Sequence, residues 1–208
     1  GIGVCAPGPL NPKTGYIYNP PNIKALHEVN LKYLIEKHFS CETLIENDAN
    51  AAGLAETLIG SAKGFENVFY VTVSTGVGTG IIINKKIYHG KNGFAGEGGH
   101  LSANYKGTSS CNCKAPSCIE SIASGTAIAR QAKDLLASGK TSESLLEHYK
   151  SNPKNLTTEV ISTFAHQGDF VSIQLIEKAA FNIGAWLGGI INLLDPDIIV
   201  IGGGVSHS

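Results

Sequence analysis

Val68-Phe69-Tyr70-Val71-Thr72-Val73-Ser74-Thr75-Gly76-Val77-Gly78-Thr79-Gly80-Ile81-Ile82-Ile83 is the stretch on which the fold turns. Its first six residues are all β-branched or aromatic, which predicts a strand. Ser74 to Gly80 reads as a glycine-punctuated loop and Ile81 to Ile83 as the returning strand. Asn84-Lys85-Lys86 then turns the chain into Ile87-Tyr88. Alternate glycines let backbone amides approach an anion with no Cβ in the way. A ligand-free hairpin turn explains them equally well. No Gly-Lys-Ser/Thr closes the loop, so it is not a Walker loop. A strand rather than a helix follows, so it is not a dinucleotide fingerprint either.

Outward from this stretch, strands and helices alternate. Ile2-Gly3-Val4-Cys5-Ala6 suits the end of a buried strand. Pro7-Gly8-Pro9 must be loop, because proline cannot donate to a sheet ladder. Asn19-Pro20-Pro21-Asn22 is a second loop. Leu31, Leu34, Ile35 and Phe39 fall at helical spacing, and Thr43-Leu44-Ile45-Glu46 reads as a short strand. Asn47-Asp48 suits a helix cap, with an alanine-rich helix over about residues 49–58. Towards the C-terminus the pattern predicts one helix over residues 122–136, others over 142–149 and 156–165, and a long one over Phe170–Leu194. Residues 198–201 then read as a buried, parallel strand before Gly202-Gly203-Gly204. This order fits an α/β protein with a ligand at its strand ends.

Glycine supplies 25 of 208 residues against a usual ~7%, and charged residues 16% against ~25%. Hydrophobic residues at 42% exclude a disordered polar chain. A net charge of -1 and a pI of about 6.7 exclude affinity through bulk charge, so neither nucleic acid nor a membrane surface is an expected partner of this segment. No basic stretch leads into an apolar core at the N-terminus. The apolar run over residues 181–194 is shorter than the ~20 residues of a spanning helix. A cytoplasmic protein is expected. The chain contains no methionine, which predicts a fragment or a processed chain.

His100, Cys111, Cys113 and Cys118 are one imidazole and three thiols close in sequence, while Cys5 and Cys41 stand alone. An odd cysteine count with one tight cluster points to a metal site rather than a disulfide framework. A Cys3His set is a tetrahedral zinc shell, most often structural. Glu97, in Gly96-Glu97-Gly98-Gly99-His100, and Glu120, just after Cys118, would be gathered round such a metal. Carboxylates and imidazole so placed suit the vicinal hydroxyls of a sugar. Without the metal, both glutamates read as solvated surface charges. Asp48 reads either as a helix cap or as a side chain presented to a cleft.

Together these segments resemble the ROK family of bacterial sugar kinases and sugar-responsive repressors. The matching residues are Glu46-Asn47-Asp48-Ala49-Asn50-Ala51-Ala52, Thr75-Gly76-Val77-Gly78-Thr79-Gly80, Glu97-Gly98-Gly99-His100, and Cys111-Asn112-Cys113 through Cys118-Ile119-Glu120. Ile2-Gly3-Val4 with Pro7-Gly8-Pro9, and Gly202-Gly203-Gly204, also match in place. The resemblance implies an actin-like ATPase, hexokinase-type (ribonuclease H-like) α/β fold of two domains. Residues 1–50 would be part of the smaller N-terminal domain and 51–208 the larger one, with the zinc loop and helices. It implies phosphoryl transfer from ATP with Mg2+ to a hexose hydroxyl, glucose foremost. Asp48 matches the catalytic base. Gly8, Asn22, Asn47, Glu97, His100 and Glu120 match sugar contacts, Thr75 and Gly76 a phosphate loop, and Gly202 and Gly203 an adenosine-binding turn. His100 would serve zinc with one ring nitrogen and sugar with the other. A homodimer through the larger domain is also implied.

The sequence departs from the family pattern at three glycines, replaced here by Ser74, Lys114 and Ser117. The family's first phosphate motif, an Asp-x-Gly-Gly-Thr-like run, is absent from these residues, so the fragment alone is expected to be inactive. The alternative within the family is a sugar-responsive repressor whose helix-turn-helix lies upstream of Gly1. A non-catalytic zinc module is a third reading. Retention of Asp48 favours the enzyme, since a pure sensor has no chemical need of a base.

Overall fold

A computed structural model describes residues 1–20, 23–109, 111 and 113–207, and the chain is mixed α/β. β1 (Ile2–Ala6), the short strands β2 (Leu10–Asn11), β3 (Tyr16–Ile17) and β4 (Val29–Asn30), helix α1 (Leu31–Phe39), β5 (Thr43–Asn47) and helix α2 (Asp48–Leu58) follow in order. β1 and β5 pair in parallel, from Ile2 opposite Thr43 to Ala6 opposite Asn47. A parallel pair needs a crossover, and α1 lies within it. The side-chain alternation sends Ala6 and Ile45 into a small core with Leu10 and Ile17 and leaves Leu44 exposed. This register puts the end of β1, and the Pro7-Gly8-Pro9 loop after it, beside the junction of β5 and α2. The small antiparallel sheet β2-β3-β4 carries too few residues to show a period, and the sequence reading has no counterpart for it.

β6 (Val68–Val73), β7 (Val77–Ile83), β8 (Lys86–Ile87) and β9 (Ile198–Gly202) form a four-stranded sheet in the order β8-β7-β6-β9. The β7–β8 turn is made by Asn84 and Lys85, both with positive φ, as a tight hairpin demands. The expected seven-residue loop after β6 is in fact a short turn. Val77 to Gly80 already belong to β7, with Val77, Thr79 and Ile82 buried. The alternating glycines therefore alternate because strands do. Gly80 lies where a Cβ would come within 2.8 Å of the Ala49 carbonyl oxygen, so α2 can lie against β7 only at a glycine. β9 is an edge strand and only half buried, with Ile201 exposed, unlike the buried strand expected.

Helices α3 (Ile119–Ala123), α4 (Gly125–Ala137), α5 (Glu143–Ser151), α6 (Thr158–His166) and α7 (Phe170–Leu194) follow the cysteine loop. The single helix expected over residues 122–136 is two. Ser124 leaves the helical region and its hydroxyl accepts from Ala127 N, starting α4 afresh. Ser142, Thr157 and Asp169 start α5, α6 and α7 in the same way. α7 buries Leu175, Ala179, Trp186, Leu187 and Ile190 along one stripe. No helix among the described residues is long and apolar enough to cross a membrane.

The chain groups into two compact units, each discontinuous in sequence. One is Gly1–Val71 with Gly78–Glu97 and Pro196–Val200, and the other is Thr72–Val77 with Gly98–Asp195 and Ile201–Ser208. Contiguous segments 1–50 and 51–208 would cut the chain differently.

The Asp169 cap is testable. Its carboxylate accepts from Ser172 N at 2.8 Å and from Ser144 Oγ at 3.0 Å. Partial burial pushes its pKa up, but hydrogen bonds from Ser142, Ser172 and Ser144 outweigh that and hold it below the usual value. A lowered folded-state pKa gives stability that is present above the unfolded value and lost as pH falls through the folded one. Asp169→Ala should cost about 1 kcal/mol at neutral pH. The gap should close as pH drops below roughly 4. Urea midpoints across that range check this, and a gap independent of pH would contradict it.

Candidate functional site

The first unit holds Gly8, Asn47, Asp48 and Glu97. Asn47 ends β5 and caps α2, its Oδ1 accepting from Ala49 N at 2.9 Å and Asn50 N at 3.1 Å. Asp48 is the first residue of α2, exposed, with Oδ1 accepting from Ala49 N at 2.9 Å. At Gly8 a Cβ would lie 3.0 Å from Glu97 Oε1 and 3.4 Å from Asn47 Nδ2, so the three residues converge and a larger residue would crowd both side chains. The two readings of the Asn-Asp pair are thus divided between its members. Asn47 does the capping, and Asp48 is exposed at the edge of a polar cluster.

The second unit holds the cysteine cluster. The ligand atoms of His100, Cys111, Cys113 and Cys118 all lie within 4.8 Å of one another. Cys111 Sγ is 3.5 Å from His100 Nδ1, and Cys113 Sγ is 3.3 Å from Cys118 Sγ. A tetrahedral ion at ~2.3 Å from sulfur and ~2.0 Å from nitrogen spaces its ligands roughly 3.5–3.8 Å apart, so this set could hold a metal ion. Burial first, then the neighbouring thiols, push Cys118 up to about 12. Burial likewise raises Cys111. Burial also acts to raise Cys113, but hydrogen bonds from the Ala115 backbone and the other two thiols bring it below its ordinary value. If all three were thiolates, this spacing would call for a cation among them. Gly99, beside His100, must be glycine, because a Cβ would fall 1.9 Å from the Val77 carbonyl oxygen.

The positions of Lys114 and Ser117 explain the missing glycines. Both have left-handed backbone, with φ of 67 and 48. The loop keeps the turns that glycine would make freely and bears the steric cost of a Cβ. Ser74 has no positive φ and needs no glycine.

The turn at Ser74-Thr75-Gly76 is tied to α4. Gly125 N donates to Ser74 O at 2.7 Å, and Thr126 Oγ1 to Thr75 O at 2.8 Å. Glu120 Oε2 accepts from Val77 N at 3.1 Å and would lie 2.6 Å from a Cβ at Gly76. Glu120 is therefore grouped with the Ser74-Thr75-Gly76 turn. Gly203 has φ of 95 and lies 2.3 Å, at its would-be Cβ, from the Val73 carbonyl oxygen, which places the Gly202-Gly203 turn at the end of β6. A groove of about 1010 Å3 runs along Thr75, Thr126, Lys133, Thr158, His166 and Val205. Asn22 lies outside the described residues.

Three polar residues beside Asn47 were given no site role in the sequence reading. Glu46 Oε2 is 2.7 Å from His89 Nε2, and Glu46 Oε1 accepts from Asn47 N at 2.9 Å and Asn50 Nδ2 at 3.1 Å. The spacing of Glu46 and Asn50 across a helix start was a readable signal. Nothing in the sequence pairs either with His89.

The ROK family model matches residues 1–208. The chain belongs to the ROK family. A glucokinase from Halalkalibacterium halodurans is 37% identical over 208 residues, all of this chain and 62% of that protein. The xylose repressor of Bacillus subtilis is 30% identical over 208 residues, all of this chain and 49% of the repressor. The crystal structure of a ROK family glucokinase from Streptomyces griseus in complex with glucose and AMPPNP is 34% identical, with a TM-score of 0.84 over 98% of this chain and 65% of that one. The chain thus spans between about half and two thirds of these relatives. Its fold is the α/β fold of actin-like ATPases and hexokinases.

Lys114→Gly tests the strained loop. Lys114 is exposed, so no packing is lost. Stability should rise by about 0.5–1 kcal/mol, the left-handed penalty less the extra unfolded freedom of glycine. A lower urea midpoint would show that the loop gains nothing from glycine there.

Proposed function

We propose that the protein is an ATP-dependent hexose kinase of the ROK type, with glucose as its foremost substrate. The observation that carries this is the convergence of Gly8, Asn47 and Glu97 next to an exposed Asp48 at the start of α2. Asn47 and Glu97 offer a donor and an acceptor to adjacent sugar hydroxyls, and Gly8 leaves the space. Asn22, His100 and Glu120 complete the sugar contacts by resemblance. Asp48 accepts the proton of the attacking hydroxyl as the phosphoryl group arrives. Phosphoryl transfer needs positioning and charge neutralisation rather than covalent chemistry, and magnesium carried with the nucleotide neutralises the phosphates.

In this reading Thr75, with Gly76 next to it in sequence, marks the phosphate side of the groove, and Gly204, which follows Gly202 and Gly203, marks the adenosine side. The groove's volume suits a nucleotide. Zinc fits the Cys3His donor set, and its role is to order the loop. Nδ1 of His100 faces the cluster, which leaves Nε2 for the sugar. Residues 1–50 contribute to a smaller domain and 51–208 to a larger one, and the protein works in the cytoplasm as a homodimer.

The xylose repressor match supports a second reading, a sugar-responsive regulator that keeps the sugar pocket without turnover. Kinetics on the full-length protein separate the two. Asp48→Asn should cut kcat by about 100- to 10,000-fold with sugar affinity little changed. Undiminished turnover would remove Asp48 as the base, and absence of turnover in the unaltered protein would favour the regulator. Elemental analysis should find about one zinc per chain, lost in Cys113→Ser. Protein that folds and stays metal-free would refute the zinc site.

A further inference from the structure

The carboxylate of Glu46 is engaged at both oxygens. One takes the Asn47 amide at 2.9 Å and the Asn50 side chain at 3.1 Å, and the other lies 2.7 Å from His89 Nε2. A carboxylate only accepts, so the ring nitrogen is the donor. Asn47 and Asn50 bracket Asp48, so Glu46 grips the chain on both sides of the proposed base. His89 reaches the other half of the cluster, because its carbonyl accepts from Ala95 N at 3.2 Å. The next residue, Gly96, is wedged between Asn50 and Thr79. A Cβ there would lie 3.3 Å from Asn50 Oδ1, and the Gly96 carbonyl accepts from Thr79 Oγ1. Glu97 follows directly. One carboxylate thus joins the segment carrying Asn47 and Asp48 to the loop carrying Glu97.

We propose that Glu46 and His89 are positioning residues, holding the Asn47-Asp48 segment and the Glu97 loop in one geometry for the sugar. Their side chains are 20% and 31% exposed, and neither belongs to the apolar clusters of this unit. Removing them therefore disturbs the site more than the fold. Loss of Glu46 leaves the Asn47 backbone amide and the buried Asn50 side chain without this acceptor, and the Asn50 side chain can then turn. A displacement of about 1 Å among reacting groups costs on the order of 100-fold in rate.

The kinetic arm of this inference rests on the kinase reading, and its binding arm rests only on a sugar pocket. The experiment uses full-length protein, unaltered and as Glu46→Ala, His89→Ala, His89→Gln and Asp48→Asn. Each is assayed with ATP and the best-bound of glucose, mannose and fructose. Sugar Kd is read by calorimetry and thermal melting is recorded. Glu46→Ala should lower kcat/KM for sugar about 10- to 100-fold and weaken sugar binding about tenfold, with KM for ATP within about twofold. His89→Ala should act in the same direction, and His89→Gln, which keeps an N–H donor towards Glu46, should recover most of the loss. Unchanged Kd and kcat/KM in Glu46→Ala overturn the inference. So does a loss accounted for wholly by unfolded protein, or His89→Gln no better than His89→Ala. If the unaltered protein phosphorylates none of these sugars, the kinase reading fails and binding decides. The clamp then stands only if Glu46→Ala weakens sugar binding and Asp48→Asn does not. Protein that binds no sugar overturns both.

Discussion

The Asn47 side chain takes two amides at the start of α2, and the placement of the proposed base follows from that. A helix N-terminus has donors with no partner of their own, and whichever residue satisfies them fixes where the helix begins. Here the cap is the last residue of β5, paired through the parallel ladder with Ala6. The ladder therefore sets the position of the cap and the cap sets the position of Asp48. The same ladder delivers Gly8 to Asn47. A one-residue slip would turn Asn47 to the other face of the strand and separate all three.

Glycine serves this fold by closeness more than by anion binding. At Gly80, Gly99 and Gly203 an added Cβ would come within 2.8, 1.9 and 2.3 Å of a carbonyl oxygen. Each marks a place where one piece of backbone lies directly on another: α2 on β7, the His100 segment on the start of β7, and the final turn on the end of β6. At these three positions the glycine is a record of such a contact. Even at the phosphate-type turn, Gly76 makes room for the Glu120 carboxylate, and the Gly125 amide at the start of α4 is already used by the turn's own carbonyl.

What could be read from sequence was local. The bounds of α1 and α7 follow from apolar spacing, while the caps at Ser142, Thr157 and Asp169 were not part of that reading. The clustering of His100, Cys111, Cys113 and Cys118 was legible because the four residues lie in one short segment. Where sequence misled, a non-local contact had decided. Ser74 to Gly80 looked like a loop because glycine disfavours strands, but Thr79 and Ile82 are buried and α2 covers Gly80, and that packing outweighs propensity. Ser124 breaks a helix whose apolar pattern runs on, because its neighbours Gly125 and Thr126 are held by the turn at Ser74 and Thr75. His89 and Glu46 meet across 43 positions, and no periodicity can announce such a pair.

The cysteine loop shows how a site can keep its shape without its usual residues. Lys114 and Ser117 occupy left-handed backbone that favours glycine, a cost on the order of 1–2 kcal/mol each. An isolated loop would escape that cost by changing conformation. Two features oppose escape here. Ser117 N donates to Ser109 O at 2.9 Å, while Cys118 is fully buried with its thiol against the His100 carbonyl. A metal among the four ligands would add the largest constraint, since its binding free energy far exceeds the strain of two residues. Ligation of that kind would let the loop hold this backbone without glycine at residues 114 and 117.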